Sequence, residues 1–371
     1  MPRFAKFLAE GMQQRGHEVE VWTPKALFYK VPVPASLKKW LGYIDQYLVF
    51  PSQTRARLKA LPANTLFVFA DHALGPWVPL VAHLPHVIHC HDFLAQKSAL
   101  GLIPENPTSS TGKKYQKFIG NGYKQGKNFI SVSNNTRQDL HQMLGYMPRH
   151  SKMVYNGLTQ NFSPQNRDEA RSLIERETGI QTQAGYLLHI GGNQWYKNRV
   201  GVIKIYNAWR KTYDQTLPLL MVGAKANAAL LSEWSNSPYQ KDIHLLSGRT
   251  DDFIKWAYNG ASVFLFPSLA EGFGWPIAEA MASGCPVITT DEVPMTEVGG
   301  SAAFYIPRKR LGNVGNLWAT EAAAVVNKVI NLSPSELEQV INNGLNNGSR
   351  FSSAKALNQI EEIYKELLNK A

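Results

Sequence analysis

The stretch from Gly260 to Thr290 narrows the possible folds of this chain more than any other. Ser262 to Phe266 is a short apolar run closed by Pro267, the pattern of a buried parallel strand. Ser268 to Trp275 holds two glycines and no periodicity, so it reads as a loop. Pro276 stands where a helix accepts proline, in its first turn, and Gly284 stands where a helix stops. Pro286 to Thr290 is β-branched again and reads as the next strand. The unit is strand, glycine-rich loop, short helix, strand. Its loop presents backbone N–H groups at a helix N-terminus, an arrangement suited to an anion.

Two carboxylates frame that loop: Glu271 within it, and Glu279 one turn inside the helix, with seven residues between them. Phosphate alone does not call for acids, which repel it. Sugar hydroxyls do, because a carboxylate accepts hydrogen bonds from neighbouring OH groups. A ligand carrying both groups, a nucleotide-sugar, fits the pattern. From spacing alone, a βαβ unit with merely solvated glutamates fits it as well.

The run Glu271-Gly-Phe-Gly-Trp-Pro-Ile-Ala-Glu279-Ala-Met-Ala-Ser-Gly-Cys-Pro-Val-Ile resembles the Glu-x7-Glu signature of the retaining glycosyltransferases of family 4, which have the GT-B fold. Val132 to Leu140, Tyr155-Asn-Gly157 with Phe162-Ser-Pro164, and Thr296 to Ala303 are similar to further family segments and occur in the family's order. The resemblance covers nearly the whole chain, with one gap at the start. It implies an α/β chain of two Rossmann-like domains facing across a cleft. The expected division is 1–160 for an acceptor-side domain, 161–350 for a nucleotide-sugar domain, and 351–371 for a last helix crossing back to the first.

At 371 residues, 44% hydrophobic and 18% charged, the composition suits two globular domains. No run of 18 apolar residues occurs, and Arg3, Lys6 and Glu10 interrupt the N-terminal stretch where a secretory signal would lie. Cys90 and Cys285 each sit in or beside an apolar strand pattern, as buried thiols of a reducing compartment do. A cytoplasmic protein, peripheral at the inner face of the membrane, is the expectation. The net charge of +11 is lopsided: residues 1–150 carry 18 Lys/Arg against 8 Asp/Glu, or +10, leaving +1 for the rest. An anionic partner of the first domain follows. Lys113, Lys114, Lys117, Lys124 and Lys127 alternate with Tyr115, Phe118 and Tyr123, which suits an anionic membrane surface; a solvated helix face is the plainer alternative. No recognition motif for nucleic acid accompanies the charge.

In chain order, Phe4, Phe7, Leu8 and Met12 have helical spacing ending at Gly16, and Val19 to Trp22 reads as a strand. The family has a strand and a glycine-rich turn before that helix. The resemblance therefore expects a missing strand in the middle of the first sheet and a natural start upstream of Met1. Tyr29 to Pro51 reads as a loop with a short helix. Leu66–Phe69 and His86–Cys90 are strands, and Phe93 to Gly122 a flexible loop. Phe129–Val132 is a strand, Asn134–Leu144 a helix, and Met153 to Arg167 the linker. Gly185–Ile190 opens the second sheet, followed by strands over 217–222 and 244–246 and helices from Leu332 onward.

Site residues follow from strand ends and from the resemblance. His91 lies just past a strand, where active residues of open α/β sheets gather. A lone histidine there can be structural, but His91-Asp92 matches the family's cleft histidine. After the next sheet begins, Gly191-Gly192-Asn193 leads to Lys197; glycines let backbone approach a phosphate and the ammonium supplies charge. In the family an Arg and a Lys hold the diphosphate. Lys197 matches the Lys, while Asn193 occupies the Arg's place, so one charge is absent or supplied by Arg199 or Arg3. The loop at Gly248-Arg249 is similar to the one that meets the nucleobase.

The resemblance thus implies a catalytic set of His91, Glu271 and Lys197. Its donor-binding set is Gly192, Asn193, Lys197, Arg249, Phe273, Gly274 and Glu279. The expected reaction is transfer of a hexose, mannose or glucose among the candidates, from a UDP- or GDP-sugar to a glycan or lipid-linked acceptor with retention. No cofactor and no metal are expected, since the chain has no paired-Asp metal motif. Two rival readings stay open: a nucleotide-sugar-binding protein with weak catalysis, and another GT-B enzyme such as an epimerase.

Overall fold

The computed structural model describes residues 2–158, 160–310, 312 and 317–369; Met1, upstream of which a further strand is expected, lies outside them. The chain divides into two compact units. One is Met1–Tyr155 with Ala354–Ala371, the other Asn156–Ser353.

The first unit is built on four parallel strands in consecutive order: β1 (Phe67–Phe69), β2 (His86–Cys90), β3 (Asn128–Ser131) and β4 (His150–Met153). Side chains alternate across a strand, and β2 divides accordingly. Val87 joins Ile130 and Val154 under the helices Pro2–Gln13 and Ser353–Asn369, which contribute Phe4, Leu8, Met12, Leu357, Ile360 and Tyr364. Ile88 and Cys90 face the opposite way, onto Val78, Ile119, Tyr123 and Leu140. His89 lies on the first face, fully buried, and its Nε2 shares a 2.6 Å hydrogen bond with the Tyr364 hydroxyl. The last helix is thereby fastened to the first unit's central strands by apolar contact and one buried polar bond.

Three expectations for this unit change. Val19–Trp22 forms no strand; residues 17–26 join no ladder. Trp22 packs edge-on to Phe67 (6.2 Å) and beneath the Arg57 guanidinium (4.6 Å), and Glu20 pairs with Arg57. Strand composition yields a strand only where a neighbour supplies the hydrogen bonds. Among the described residues β1 to β4 pair without interruption, with β1 at an edge.

The stretch 93–122 is not a loop, since it contains the helices Leu94–Ala99 and Ser110–Tyr123. Ser109 caps the second by accepting from Gly112 N at 3.2 Å. Its glycines, which argue against a helix by propensity, permit close packing on the 3₁₀ segment His72–Leu80. A Cβ on Gly122 would stand 2.1 Å from the Gly75 carbonyl oxygen. Tyr123 is consequently buried, its ring against His72 (5.7 Å) and Phe93 (5.9 Å), and does not join the lysines at the surface. Finally, residues 29–51 hold more helix than expected. Ala35–Ile44 runs through a π turn, Asp45–Val49, into Phe50–Leu58. The buried Asp45 carboxylate anchors the turn by accepting from the backbone N–H groups of Leu27, Phe28 and Tyr29.

The second unit has six parallel strands: β5 (Leu187–Gly191), β6 (Leu219–Gly223), β7 (Ile243–Ser247), β8 (Val263–Phe266), β9 (Val287–Thr290) and β10 (Phe304–Ile306). They lie in the order β10-β9-β8-β5-β6-β7. One face is covered by the helices Arg199–Tyr213 and Leu317–Ile330 through Val202, Tyr206, Trp209, Trp318 and Ala322. Chain direction across the sheet reverses between β5 and β8. Among the described residues no helix is long and apolar enough to cross a membrane.

The contact at Gly122 gives a direct test of the helix that replaces the expected loop. Gly122→Ala forces backbone against backbone, so the expected loss is about 1–3 kcal/mol, read as a lowered denaturant midpoint. An unchanged midpoint would refute the close packing of this helix on Gly75.

Candidate active site

In an open parallel sheet, loops that leave neighbouring strands in opposite directions open a crevice at the carboxyl ends. In the second unit that place is β5 beside β8, since β5 leads on to β6 and β8 to β9. The two loops are joined there by backbone and side chain. Leu269 N donates to Tyr196 O at 2.7 Å, Ser268 Oγ lies 2.9 Å from the same carbonyl, and Asn198 Nδ2 donates to Pro267 O at 3.0 Å. Thr290 Oγ1 and Arg308 Nε hold the β8 loop from the other side, on Ser268 O (2.7 Å) and Leu269 O (2.9 Å).

This scaffold brings Lys197 to Glu271. Lys197 Nζ lies 2.7 Å from Glu271 Oε1 and 4.9 Å from the centroid of the Phe266 ring. Ser268 Oγ donates to the same Oε1, also at 2.7 Å. Glu271 is 9% exposed, so the pair is largely desolvated, and charge-assisted bonds of this length are strong there. Both bonds use one carboxylate oxygen, which leaves Oε2 for a ligand.

Beyond Glu271, Gly274 adopts φ 100°, a conformation open to glycine, and caps the helix Trp275–Ala282. Phe273 is buried with its ring on Phe351 at 5.3 Å. Glu279, half-buried on that helix, accepts from the Tyr258 hydroxyl at 3.1 Å. Burial and the Glu279 carboxylate push the Tyr258 hydroxyl well above its ordinary pKa, so it remains a donor.

Gly192 and Asn193 follow β5. Asn193 Nδ2 donates to Lys225 O (2.7 Å), and its Oδ1 accepts from Arg199 Nη1 (2.6 Å), which also reaches Ala224 O (2.9 Å). The loops after β5 and β6 are thus linked through Asn193 and Arg199. Arg249 is engaged elsewhere: its Nη1 lies 2.9 Å from Glu177 Oε1 and its guanidinium sits over Phe253. Thr250 caps the helix Asp251–Gly260.

His91, in the first unit, donates from Nε2 to Ala70 O at 3.0 Å, with Phe4 edge-on to its ring at 4.4 Å. Burial pushes its pKa down, so the imidazole is neutral with its lone pair on Nδ1. Beside it lies a pair that sequence reasoning missed, His72 with Asp71, Nδ1 to Oδ1 at 3.1 Å. Burial opposes charge on both, yet each outweighs it for the other: Asp71 is held below the carboxylate range and His72 above its own. The available signal was position, since Asp71-His72 follows β1 as His91-Asp92 follows β2. Ser268 and Tyr258, which orient the two glutamates, carried no sequence signal. Among the described residues no cluster of three or more His, Cys, Asp or Glu could hold a metal ion.

Comparison with known proteins agrees with this architecture. Residues 170–346 match the family described as "Glycosyl transferases group 1" and residues 1–161 match "Glycosyltransferase Family 4". The chain belongs to the group 1 glycosyltransferases, with the GT-B fold of two Rossmann-like units. Among curated relatives, it is 22% identical over 224 residues to the O-antigen chain mannosyltransferase B of Escherichia coli, covering 60% of this chain and 58% of the relative. It is 26% identical over 234 residues to the D-inositol 3-phosphate glycosyltransferase of Corynebacterium kroppenstedtii, covering 60% and 49%. The chain thus spans about half the length of the curated relatives it matches. Among solved structures, Anabaena HepE in complex with UDP and glucose has a TM-score of 0.67 at 18% identity, covering 95% of this chain and 88% of that one. Sucrose-phosphate synthase from Thermosynechococcus elongatus has a TM-score of 0.73 at 14% identity, covering 99% and 93%.

Beneath the site, His189 on β5 donates from Nδ1 to Leu265 O at 2.9 Å, while its buried Nε2 has no partner. Burial, with Arg199 and Lys197 nearby, lowers its pKa to about 3. The unfolded chain takes up that proton near pH 6.5 and the folded one only near 3, so stability falls as pH falls between those values. The expected slope is about 1.4 kcal/mol per pH unit. His189→Asn, which keeps a donor for Leu265 O, should flatten the dependence; equal pH slopes in urea unfolding from pH 6 to 4 would contradict a neutral His189.

Proposed function

We infer that this chain transfers a hexose from a UDP- or GDP-sugar to an acceptor hydroxyl, retaining the anomeric configuration and using no metal ion. The observation that carries the reading is the buried Lys197–Glu271 pair beside a helix N-terminus. It places a cation and a carboxylate where the diphosphate and the sugar hydroxyls of one ligand can each find a partner. Lys197 and the helix N-terminus stabilise the departing diphosphate. Glu271 accepts from sugar hydroxyls, with the backbone at Phe273 and Gly274 close by. Glu279, steadied by Tyr258, accepts from the ribose, and Arg249 belongs to the loop assigned to the nucleobase. His91 serves as a neutral hydroxyl acceptor through Nδ1.

The acceptor oxygen bonds to the anomeric carbon on the face from which the diphosphate departs, and its proton passes to the leaving phosphate oxygen. No covalent enzyme intermediate is required; positioning and leaving-group stabilisation carry the rate. Mannosyltransferases among the relatives and UDP with glucose in a structural neighbour keep mannose and glucose as the candidate sugars. The assay is turnover of labelled UDP- and GDP-hexoses with analysis of the product anomer. Lys197→Ala and Glu271→Ala should each lower turnover about a hundredfold, and activity should survive EDTA. Near-normal kinetics in both variants would overturn the site assignment, and an inverted product or loss of activity in EDTA would overturn the corresponding part of the mechanism.

The same reading places the acceptor, a glycan or lipid-linked sugar, at an anionic membrane surface. Lys113, Lys114, Lys117, Lys124 and Lys127 are all exposed, as are Tyr115 and Phe118. The helix bearing three of them is continuous with a second aromatic patch. Tyr115 shares a 2.9 Å hydroxyl contact with Tyr47 and stacks on Tyr43, while Trp40 and Leu48 stand 63% and 66% exposed nearby in sequence. Each lysine near an anionic leaflet contributes about 1 kcal/mol, and exposed rings suit the interface below it. Co-sedimentation with phosphatidylglycerol vesicles should exceed that with neutral ones and weaken with salt. Negligible pelleting with both would remove the membrane partner and leave the transfer reaction standing.

A further inference from the structure

The second unit holds a buried cation that nothing balances. Arg199 is 6% exposed. Its Nη1 donates to two neutral oxygens, Asn193 Oδ1 and Ala224 O, and its Nε–H is enclosed without an acceptor. Burial alone disfavours its charge, and among the described residues no carboxylate pairs with it. Other cations of the unit are matched: Lys197 by Glu271, Arg210 by Asp242, Arg249 by Glu177. Arg199 is also the first residue of the helix Arg199–Tyr213, where the helix dipole adds charge of the same sign. A buried guanidinium with neutral partners only is costly. Such a charge is understandable where an incoming anion completes it.

Its position says which anion. Asn193, bonded to Arg199, directly follows Gly191-Gly192 at the end of β5, and Lys197 lies two residues before Arg199. Since Glu271 already offsets Lys197, the charge that remains on these three side chains is that of Arg199. We propose that Arg199 is a positioning residue that also supplies the net positive charge of the phosphate site. It holds Asn193 and the glycine turn against the loop after β6, so that the site favours a nucleoside diphosphate over a nucleoside monophosphate. The proposal rests on the nucleotide-sugar reading above, and it assigns to position 199 the cation that position 193 lacks.

The test is calorimetric titration of UDP, GDP, UMP and GMP into the wild type, Arg199→Gln, Arg199→Lys and the double variant Asn193→Arg/Arg199→Gln, with the melting temperature of each unliganded protein. Glutamine can keep a donor for Asn193 or Ala224 while removing the unbalanced charge. Arg199→Gln should melt no lower than the wild type, yet bind the preferred diphosphate about tenfold or more weakly. Its affinity for the corresponding monophosphate should fall less than about threefold, because the distal phosphate is absent. Arg199→Lys should lie between, and the double variant should recover diphosphate binding. Equal weakening of mono- and diphosphate with a lowered melting temperature would make Arg199 a brace only and overturn the proposal, as would unchanged binding of both. If the wild type binds none of the four nucleotides, the nucleotide-sugar reading itself falls.

Discussion

Everything at the candidate site depends on β5 and β8 lying side by side with their chains leaving in opposite directions. The register of Leu187 and Leu188 against Val263 and Phe264 sets where each strand ends, and hence where the two loops begin. Tyr196 O then receives Leu269 N, so one carbonyl fixes the height of one loop against the other. With that height fixed, the Lys197 ammonium lies over the Phe266 ring and meets Glu271 without a freely moving side chain on either part. Ordering two long side chains costs rotamer entropy. Here packing has already spent it, which separates this pair from the exposed ion pairs elsewhere on the chain, such as Lys6 with Glu10.

The histidines obey a related constraint. His89 and His189 lie within strands and His91 just past one, and burial lowers the pKa of each. Each uses one ring nitrogen on a fixed partner: Tyr364, Ala70 O and Leu265 O respectively. A charged imidazole at His89 or His189 would lack a counter-ion. For His89 the neutral form suits full burial beside the Tyr364 hydroxyl of the last helix. For His189 it lets Lys197 and Arg199 stand close by without a third positive charge.

Much of this was legible in the sequence where a single local pattern sufficed. Short apolar runs closed by glycine or proline marked β5, β6 and β8, an apolar run followed by polar residues marked β2, and the spacing of Glu271 and Glu279 marked the loop and helix between β8 and β9. What was not legible depended on distant partners. Val19–Trp22 has the composition of a strand but no neighbour to pair with. The glycines of Ser110–Tyr123 look like helix breakers until Gly75 is set against Gly122. The Arg249 side chain pairs with Glu177, far away in sequence, which no local pattern marks. The lack of a counter-charge at Arg199 could not be read from composition, because it is a property of the space around one side chain.

The pairing of Lys197 with Glu271 also bears on selectivity. An unliganded site with a lone buried lysine and a lone buried carboxylate would carry two desolvation costs; pairing them offsets both. A ligand entering the site must compensate each partner it separates. A phosphate without sugar hydroxyls would draw Lys197 away and leave Glu271 facing an anion. A free sugar could engage Glu271 but would leave Lys197 without its counter-charge. Leaving one member of a buried pair unmatched costs more than the pair contributes. Only a ligand that presents an anion and neighbouring hydroxyls at the spacing of the two side chains repays both at once. Under the proposed function, selectivity for nucleotide-sugars over their separate halves would come from the resting ion pair itself, before any contact to base or ribose is counted.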